Sequence, residues 1–165
     1  MRSLIGAAAV SLALMSGSAF AQTSGDVEFG VTLTIAESCI VNAATDIEFG
    51  TKAAGDFTAA QSASASFTLQ CTNGADVQIA MNDGSNYDLT NSVRRMKGLT
   101  ATTDYVQYAL YQTSDLGTAW DGSSTMSADG TGTAETYVVY ARIPAYTTIP
   151  PAQSYSDTVT IDITY

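Results

Sequence analysis

The sequence alternates between apolar and polar residues from residue 26 to residue 39, DVEFGVTLTIAESC. Every second place from residue 27 onward holds a large apolar side chain: Val27, Phe29, Val31, Leu33 and Ile35. A period of two predicts a β-strand with one apolar and one polar face. At roughly 3.3 Å per residue the run would extend for about 40 Å, well beyond an ordinary strand. We predict that its second half is a strand of its own domain and that its first half is presented to another molecule. The alternative is a long first strand in an ordinary sandwich.

An export signal precedes this run. Arg2 supplies a positive start, residues 4–15 form an apolar core, and Ala19-Phe20-Ala21 has the small-x-small pattern of a cleavage site. The apolar core is too short to anchor the chain in a bilayer, and no later stretch is long and apolar enough to cross one. We predict a signal peptide at residues 1–21, cleavage before Gln22, and a soluble, exported product.

The charge balance argues against nucleic-acid binding. The chain has 6 Lys and Arg against 16 Asp and Glu, which gives a net charge of −10 at pH 7. A phosphate backbone is bound by a basic surface. We therefore expect no nucleic acid among the partners.

The two cysteines, Cys39 and Cys71, predict one disulfide in an oxidising compartment. Closing a loop of about 32 residues would stabilise the fold by roughly 3.5–4 kcal/mol in the chain-entropy model. The alternative, a pair of reactive thiols, needs an activating His or basic neighbour. The chain has no His, and no Lys or Arg adjoins either cysteine.

Short alternating runs separated by turns continue along the rest of the chain. We predict strands in six further runs: residues 47–49, 65–71, 77–81, 105–111, 137–143 and 159–165. The Asn73-Gly74 turn predicts that residues 65–81 form a hairpin. Three stretches are predicted as loops: residues 52–64 (with a short helix as an option at 59–63), 114–132 and the proline-containing 144–153.

These elements together predict an all-β fold, an immunoglobulin-like β-sandwich. Strongly alternating strands lie at both ends of the exported chain. An open sheet with such ends leaves backbone groups unpaired, which invites the addition of a strand from another chain.

Two polar stretches each allow two interpretations. Residues 82–88 alternate oxygen-bearing side chains as calcium loops do, but they lack the closing Glu, so we predict a solvated turn. Arg94, Arg95 and Lys97 bring most of the basic charge together. We predict a solvated loop there, with contact to an acidic patch on a neighbouring copy as the alternative.

Catalytic groups are scarce in this sequence. Without His, the usual Ser-His-Asp and Cys-His arrangements are excluded. Zinc sites normally draw on His and free Cys, and no phosphate-binding glycine motif follows a strand. We predict a protein that is not an enzyme and has no metal and no cofactor.

Seven short motifs follow one another along the chain. They are the alternating run ending in Ser38-Cys39, then Phe67-Thr68-Leu69-Gln70-Cys71, Asn73-Gly74, Arg95-Met96-Lys97-Gly98, Tyr105–Leu110, Tyr140-Ala141-Arg142-Ile143-Pro144 and Tyr155-Ser156-Asp157-Thr158-Val159. In order and in cysteine placement the chain resembles the spore coat protein U domain family. This family includes subunits of archaic, Csu-type chaperone–usher pili.

The resemblance implies an immunoglobulin-like sandwich that lacks one strand and is completed by another chain. A periplasmic chaperone would lend a strand during export, and an outer-membrane usher would exchange it for the N-terminal strand of the next subunit. Residues 22–33 would be the donor segment, and residues 34–165 the sandwich domain. Four side chains of the donor segment would fill the groove of the next subunit: Val27, Phe29, Val31 and Leu33. Four residues of the last strand would form the groove edge and the chaperone contact: Val159, Ile161, Ile163 and Tyr165.

The function implied is that of a subunit of an extracellular pilus that serves surface adhesion and biofilm formation. Its partners would be other copies of itself or related subunits, the chaperone and the usher. Its location would be the periplasm and then the cell surface. The alternative is a self-contained secreted surface or coat protein of the same fold. A glycan-binding tip adhesin is disfavoured, because we expect such a subunit to carry an additional binding domain.

Overall fold

The computed structural model describes residues 25–165, apart from the side chain of Ala43. The described residues belong to two units, the segment 25–34 and the compact unit 35–165. The predicted signal peptide, residues 1–21, lies outside the described residues. No helix among the described residues is long and apolar enough to span a bilayer.

Nine β-strands and one short 3₁₀ helix make up the regular structure of residues 25–165. The strands are β1 (Cys39–Ala44), β2 (Gln61–Cys71), β3 (Asp76–Met81), β4 (Arg94–Gly98), β5 (Tyr105–Tyr111), β6 (Met126–Asp129), β7 (Ala134–Ile143), β8 (Tyr155–Ser156) and β9 (Ile161–Thr164). The 3₁₀ helix is Ala54–Thr58.

The strands form two antiparallel sheets. The larger sheet has the order β1-β2-β7-β5-β4-β8, and the smaller sheet has the order β6-β3-β9. This arrangement confirms the predicted all-β sandwich. The apolar alternation explains the core, because the inward residues of the long strands are the buried ones: Phe67, Leu69, Val77, Ile79, Met81, Val106, Tyr108, Leu110, Val139, Ala141 and Ile143.

The hairpin predicted over residues 65–81 is wrong. β2 pairs with β1 and β7, whereas β3 pairs with β6 and β9. The Asn73-Gly74 turn is present, with Gly74 at φ +84°, but it carries the chain from one sheet to the other. Two alternating runs joined by a tight turn can be neighbours in one sheet or can lie in two sheets that face each other. The sequence pattern is the same in both cases, because each strand buries one face.

Several predicted boundaries also differ from the structure. β2 begins at Gln61, inside the predicted loop 52–64, and the helical turn lies at Ala54–Thr58 rather than at 59–63. β6 lies inside the predicted loop 114–132. No strand is assigned to residues 47–49.

The alternating run that opens the chain is not a strand in the described structure. Residues 25–38 have no assigned secondary structure, and the first ladder begins at Cys39. A strand is defined by backbone hydrogen bonds to a neighbouring strand, so an apolar–polar period does not create one without a partner. The predicted strand in the second half of this run is therefore wrong for this chain on its own, and the presentation of its first half to another molecule stays a prediction.

Candidate functional site

A long groove opens into the core between the two sheets. Its volume is about 510 Å³, within the range of roughly 300–1,000 Å³ that is usual for binding clefts. Core side chains form its floor: Ala65, Met81, Met96, Tyr108, Leu110 and Val139. Residues 44–49 form one wall, and residues 155–159 with Ile161 form the other. The groove therefore reaches core side chains between two stretches of chain that lie for the most part outside the strands.

The second wall, which we call the wall segment (residues 155–161), leads from β8 in the larger sheet to β9 in the smaller sheet. Its inward residues are half-buried and alternate with exposed ones. Within the described residues β9 pairs only with β3, so its other edge is free.

The hydrogen bonds of β9 show which of its backbone groups are free. Asn82 N–H donates to the Thr160 carbonyl at 3.0 Å, and the register continues with Asp162 opposite Ala80. Hydrogen-bonded pairs alternate with non-hydrogen-bonded pairs in an antiparallel ladder. The N–H and C=O groups of Ile161 and Ile163 therefore point away from β3, towards the free edge of the sheet.

The opposite wall continues directly from β1. Thr45 N–H donates to the Ser66 carbonyl at 2.9 Å, which is the last backbone bond of this stretch to β2. Beyond it, Ile47 and Phe49 are half-buried and pack against the core. This wall holds an apolar lining in place without a strand ladder of its own.

A carboxylate lies within the wall segment. Asp157 Oδ2 accepts a hydrogen bond from the Tyr108 hydroxyl at 2.6 Å. Its Oδ1 accepts two bonds from Asn86, from the backbone N–H at 3.1 Å and from Nδ2 at 2.9 Å. Burial, together with the neighbouring Asp157 carboxylate, raises the pKa of Tyr108 far above its usual value. The phenol therefore stays protonated and acts as a donor.

The predicted donor side chains are almost fully solvent-accessible in the described structure. Val27, Phe29, Val31 and Leu33 are 84–90% exposed. Isolated exposed apolar residues are common, but four large ones in alternation are not. The segment thus carries exposed apolar side chains at a regular period of two along the sequence.

The structure places the predicted groove-edge residues on or next to β9. Val159 and Ile161 line the groove, Ile163 packs against the core, and Tyr165 is 53% exposed. Sequence reasoning did not identify the opposite wall, residues 44–49, or Asp157. An acidic residue in an otherwise apolar alternating run was the available signal for Asp157.

The disulfide between Cys39 and Cys71 is present, which confirms the predicted pairing. It joins the first residue of β1 to the last residue of β2. Beside it, the Thr72 N–H donates to the Ser38 carbonyl at 2.9 Å. Covalent and hydrogen bonds therefore fix the point where the chain enters the sandwich.

The basic cluster does not form the solvated loop that was predicted. Arg94, Arg95 and Lys97 lie on β4, and Arg94 is buried. The Arg94 guanidinium donates to the carbonyls of Met81, Asn82 and Trp120 at 2.6–2.9 Å. The planar guanidinium has five N–H donors and can bond several carbonyls at once. Arg94 therefore serves to hold the sandwich together.

Residues 82–88 form a polar loop, and its side chains mostly serve internal bonds. Asn82 Oδ1, for example, accepts from the N–H groups of Gly84 and Thr160. Among the described residues no group of three or more His, Cys, Asp or Glu side chains is placed to hold a metal ion.

The sandwich and its groove define the class of this protein: an all-β domain with two antiparallel sheets and an open cleft, with apolar side chains on its floor, beside a free edge. The model of the spore coat protein U domain matches residues 26–162. The chain therefore belongs to the spore coat protein U domain family. No curated protein matches the chain.

A solved structure shows the same fold. A chain of the CsuC-CsuE chaperone-tip adhesion subunit pre-assembly complex, from the archaic chaperone-usher Csu pili of Acinetobacter baumannii, matches with a TM-score of 0.57 and 23% identity. The match covers 80% of this chain and 40% of that chain, so this protein spans less than half the length of its structural relative. A weaker match, with a TM-score of 0.37 and 14% identity, is to a chaperone-tip adhesin complex of CFA/I fimbriae, covering 74% of this chain and 39% of that one.

Proposed function

We propose that this protein is a non-enzymatic structural subunit of an extracellular pilus, assembled by donor-strand exchange. In this proposal the donor segment of one copy, residues 22–33, enters the groove of the next copy. The observation that carries it is the groove itself: a cleft of about 510 Å³ with a floor of core side chains and a free strand edge. Membership of the spore coat protein U domain family supports it.

The apolar face of the donor segment matches the lining of the groove in chemistry. Val27, Phe29, Val31 and Leu33 present large apolar side chains at every second position, with a spacing of about 6.6 Å in an extended strand. Each would contribute about 1.5–3 kcal/mol if fully buried on the groove floor. Docking would remove the exposed apolar side chains of the donor segment from water, which favours a slow off-rate.

The free edge of β9 supplies the second part of the interaction. The N–H and C=O groups of Ile161 and Ile163 face the open side, so an entering strand would continue the sheet by main-chain bonds. Strand addition of this kind combines main-chain hydrogen bonds, which give affinity, with side-chain pockets, which give specificity. The donor segment would form the strand predicted from its period only when it has this neighbour.

The contact is heterologous, because the donor segment and the groove are different surfaces. A head-to-tail contact that does not close into a ring generates a filament. The same groove could first receive a strand from a periplasmic chaperone, with Val159, Ile161, Ile163 and Tyr165 as its contact, and then the donor segment at the usher. The partners in this proposal are copies of this chain or related subunits, the chaperone and the usher.

The proposal places the exported protein in the periplasm and then on the cell surface, with the domain boundaries given above. Surface adhesion and biofilm formation are the roles proposed for the assembled fibre. No nucleic acid takes part, since the surface is acidic.

The test is expression of the full chain with its chaperone and usher, followed by gel electrophoresis of unheated surface fractions. We expect a ladder of SDS-resistant polymers from the parent chain. Phe29→Asp and Val31→Asp should abolish the ladder, because a charge cannot be buried unpaired in the groove. Thr32→Asp introduces the same charge on the polar face and should leave it intact.

Polymers of unchanged length from both apolar-face variants would contradict the proposal. A stable monomer from the parent chain, made without a chaperone, would instead favour a self-contained surface protein.

A further inference from the structure

Asp157 interrupts an otherwise apolar stripe. The inward, half-buried residues around it are Tyr155, Val159, Ile161 and Ile163. Burying a polar group is unfavourable unless its hydrogen bonds are satisfied. Within the described residues Asp157 has three such bonds, from Tyr108 and Asn86, so its position is specified by partners on β5 and on the loop that follows β3.

The part of the wall segment next to Asp157 lacks a ladder. Residues 157–160 belong neither to β8 nor to β9, because the chain crosses there from one sheet to the other. Its backbone is held instead by the 82–86 loop. Ser85 N–H donates to the Thr158 carbonyl at 3.0 Å, and Thr160 N–H donates to Asn82 Oδ1 at 2.9 Å.

Gly84 shows how closely the loop approaches this carboxylate. Its φ is +83°, and a Cβ built on it would collide with Asp157 Oδ2 and touch the Tyr108 hydroxyl. The loop, β5 and the wall segment therefore meet at a single packed point on the rim of the groove. We call Asp157, Tyr108 and Asn86 the rim clasp.

We propose that Asp157 is a positioning residue, which holds the wall segment in place through the rim clasp so that the groove can accept a strand. The inference rests on the proposed function, since it names what shapes the acceptor groove. Without the clasp, residues 157–160 would lose the anchor nearest to the point where the chain leaves the larger sheet and would keep only their bonds to Ser85 and Asn82. The edge of β9 would then have to be ordered during docking, which weakens binding.

Strand binding to the full chain tests this role. The acceptor is the full exported chain carrying Val31→Asp, so that its own donor segment is disabled, and the probe is a fluorescent peptide of residues 25–36. Asp157→Val completes the apolar stripe. If the apolar lining alone governs docking, this variant should bind the peptide as tightly as the parent or more tightly. If the rim clasp positions the wall segment, the Kd of the variant should be higher by about tenfold or more.

Three controls separate positioning from general stability. Asp157→Asn can still accept from Asn86 and bond to Tyr108, so it should bind within about threefold of the parent. Asp162→Val makes the same change at an exposed residue of β9 and should also bind within about threefold. Val77→Ala lowers stability in the core away from the groove and should leave the peptide affinity unchanged, although it lowers Tm.

Amide hydrogen exchange of the unliganded chain gives an independent measurement. Asp157→Val should speed exchange at Ser85, whose N–H donates to the Thr158 carbonyl, by about tenfold or more, with the amides of β5 unchanged. If the parent acceptor fails to bind the peptide, the proposed function fails while the exchange result still decides whether Asp157 holds the wall. Unchanged exchange, or undiminished binding by Asp157→Val, overturns the inference.

Discussion

Arg94 shows how one residue can join three parts of the sandwich. Its guanidinium donates to the carbonyls of Met81 and Asn82 at the end of β3, and to that of Trp120 in the segment after β5. Trp120 is fully buried and donates its indole N–H to the Ile79 carbonyl at 3.0 Å. These side-chain bonds, together with the Trp120 N–H bond to the Leu110 carbonyl at 2.9 Å, fasten the segment to the core.

Replacing Arg94 by Met should therefore destabilise the fold strongly. The variant keeps the apolar stem but leaves buried carbonyls without donors, and we expect a loss of about 2–4 kcal/mol in the free energy of unfolding. The matched control is Arg142→Met on β7, where the arginine is exposed, which should change stability by no more than about 0.5 kcal/mol. Denaturant unfolding of both variants measures the difference, and equal midpoints would contradict this account of Arg94.

The disulfide permits a second prediction for single residues. Cys39→Ser with Cys71→Ser removes the covalent link between the ends of β1 and β2, and should lower the free energy of unfolding by about 2–5 kcal/mol. Thermal unfolding with and without a reductant provides the check. The parent should unfold at a lower temperature in the presence of the reductant, and the double variant should unfold at the same temperature with and without it. An unchanged unfolding temperature of the parent would argue against a stabilising role of the disulfide.

The turn between β2 and β3 depends on a close backbone approach at the end of β6. Gly130 N–H donates to the Ala75 carbonyl at 2.8 Å, and the Gly130 carbonyl accepts from Gly74 N–H at 2.7 Å. A Cβ on Gly130 would collide with the Thr72 carbonyl oxygen. The crossover between the sheets therefore requires glycine at this position.

Gly130→Ala tests this requirement. The methyl group forces backbone atoms apart, and we expect a loss of about 1–3 kcal/mol. Gly122→Ala is the control, because nothing lies within 4 Å of its Cβ position. Gly122→Ala should leave Tm almost unchanged. Similar Tm values for the two variants would show that the backbone around Gly130 can move enough to accept a methyl group.

Particular elements show how far the sequence predicts this structure. The alternation of Val106, Tyr108 and Leu110 predicts the buried face of β5 correctly, because burial of one face follows from the period of two. The same signal cannot say which strands pair, so the hairpin over residues 65–81 was wrong. Trp120 and Arg94 have no periodic context, and their burial depends on contacts with residues far away in the sequence, such as Phe67 beside Trp120 and the Met81 carbonyl beside Arg94. The groove could be inferred from family resemblance, but its 44–49 wall has no strand pattern long enough to reveal it.

At the scale of the whole molecule, the donor segment and the groove are separate parts, and each can be disabled by itself. In the proposed assembly, Val31→Asp should disable the donor segment and leave the groove intact. Ala65→Trp does the reverse, because Ala65 is a small, half-buried residue on the groove floor, where an indole would occupy the space that a strand needs. Thermal unfolding of each variant first establishes that both are folded.

A mixture of the two variants tests whether assembly is head-to-tail. Each variant alone lacks one of the two surfaces and should stay monomeric in solution. Together they have one working donor segment and one working groove, so the mixture should form a one-to-one dimer and nothing longer, because the dimer has no second functional pair. Size-exclusion chromatography with light scattering distinguishes dimer from polymer. Polymers from either variant alone would show that a different surface drives assembly, and two folded variants that never associate would show that the donor segment and the groove are not partners.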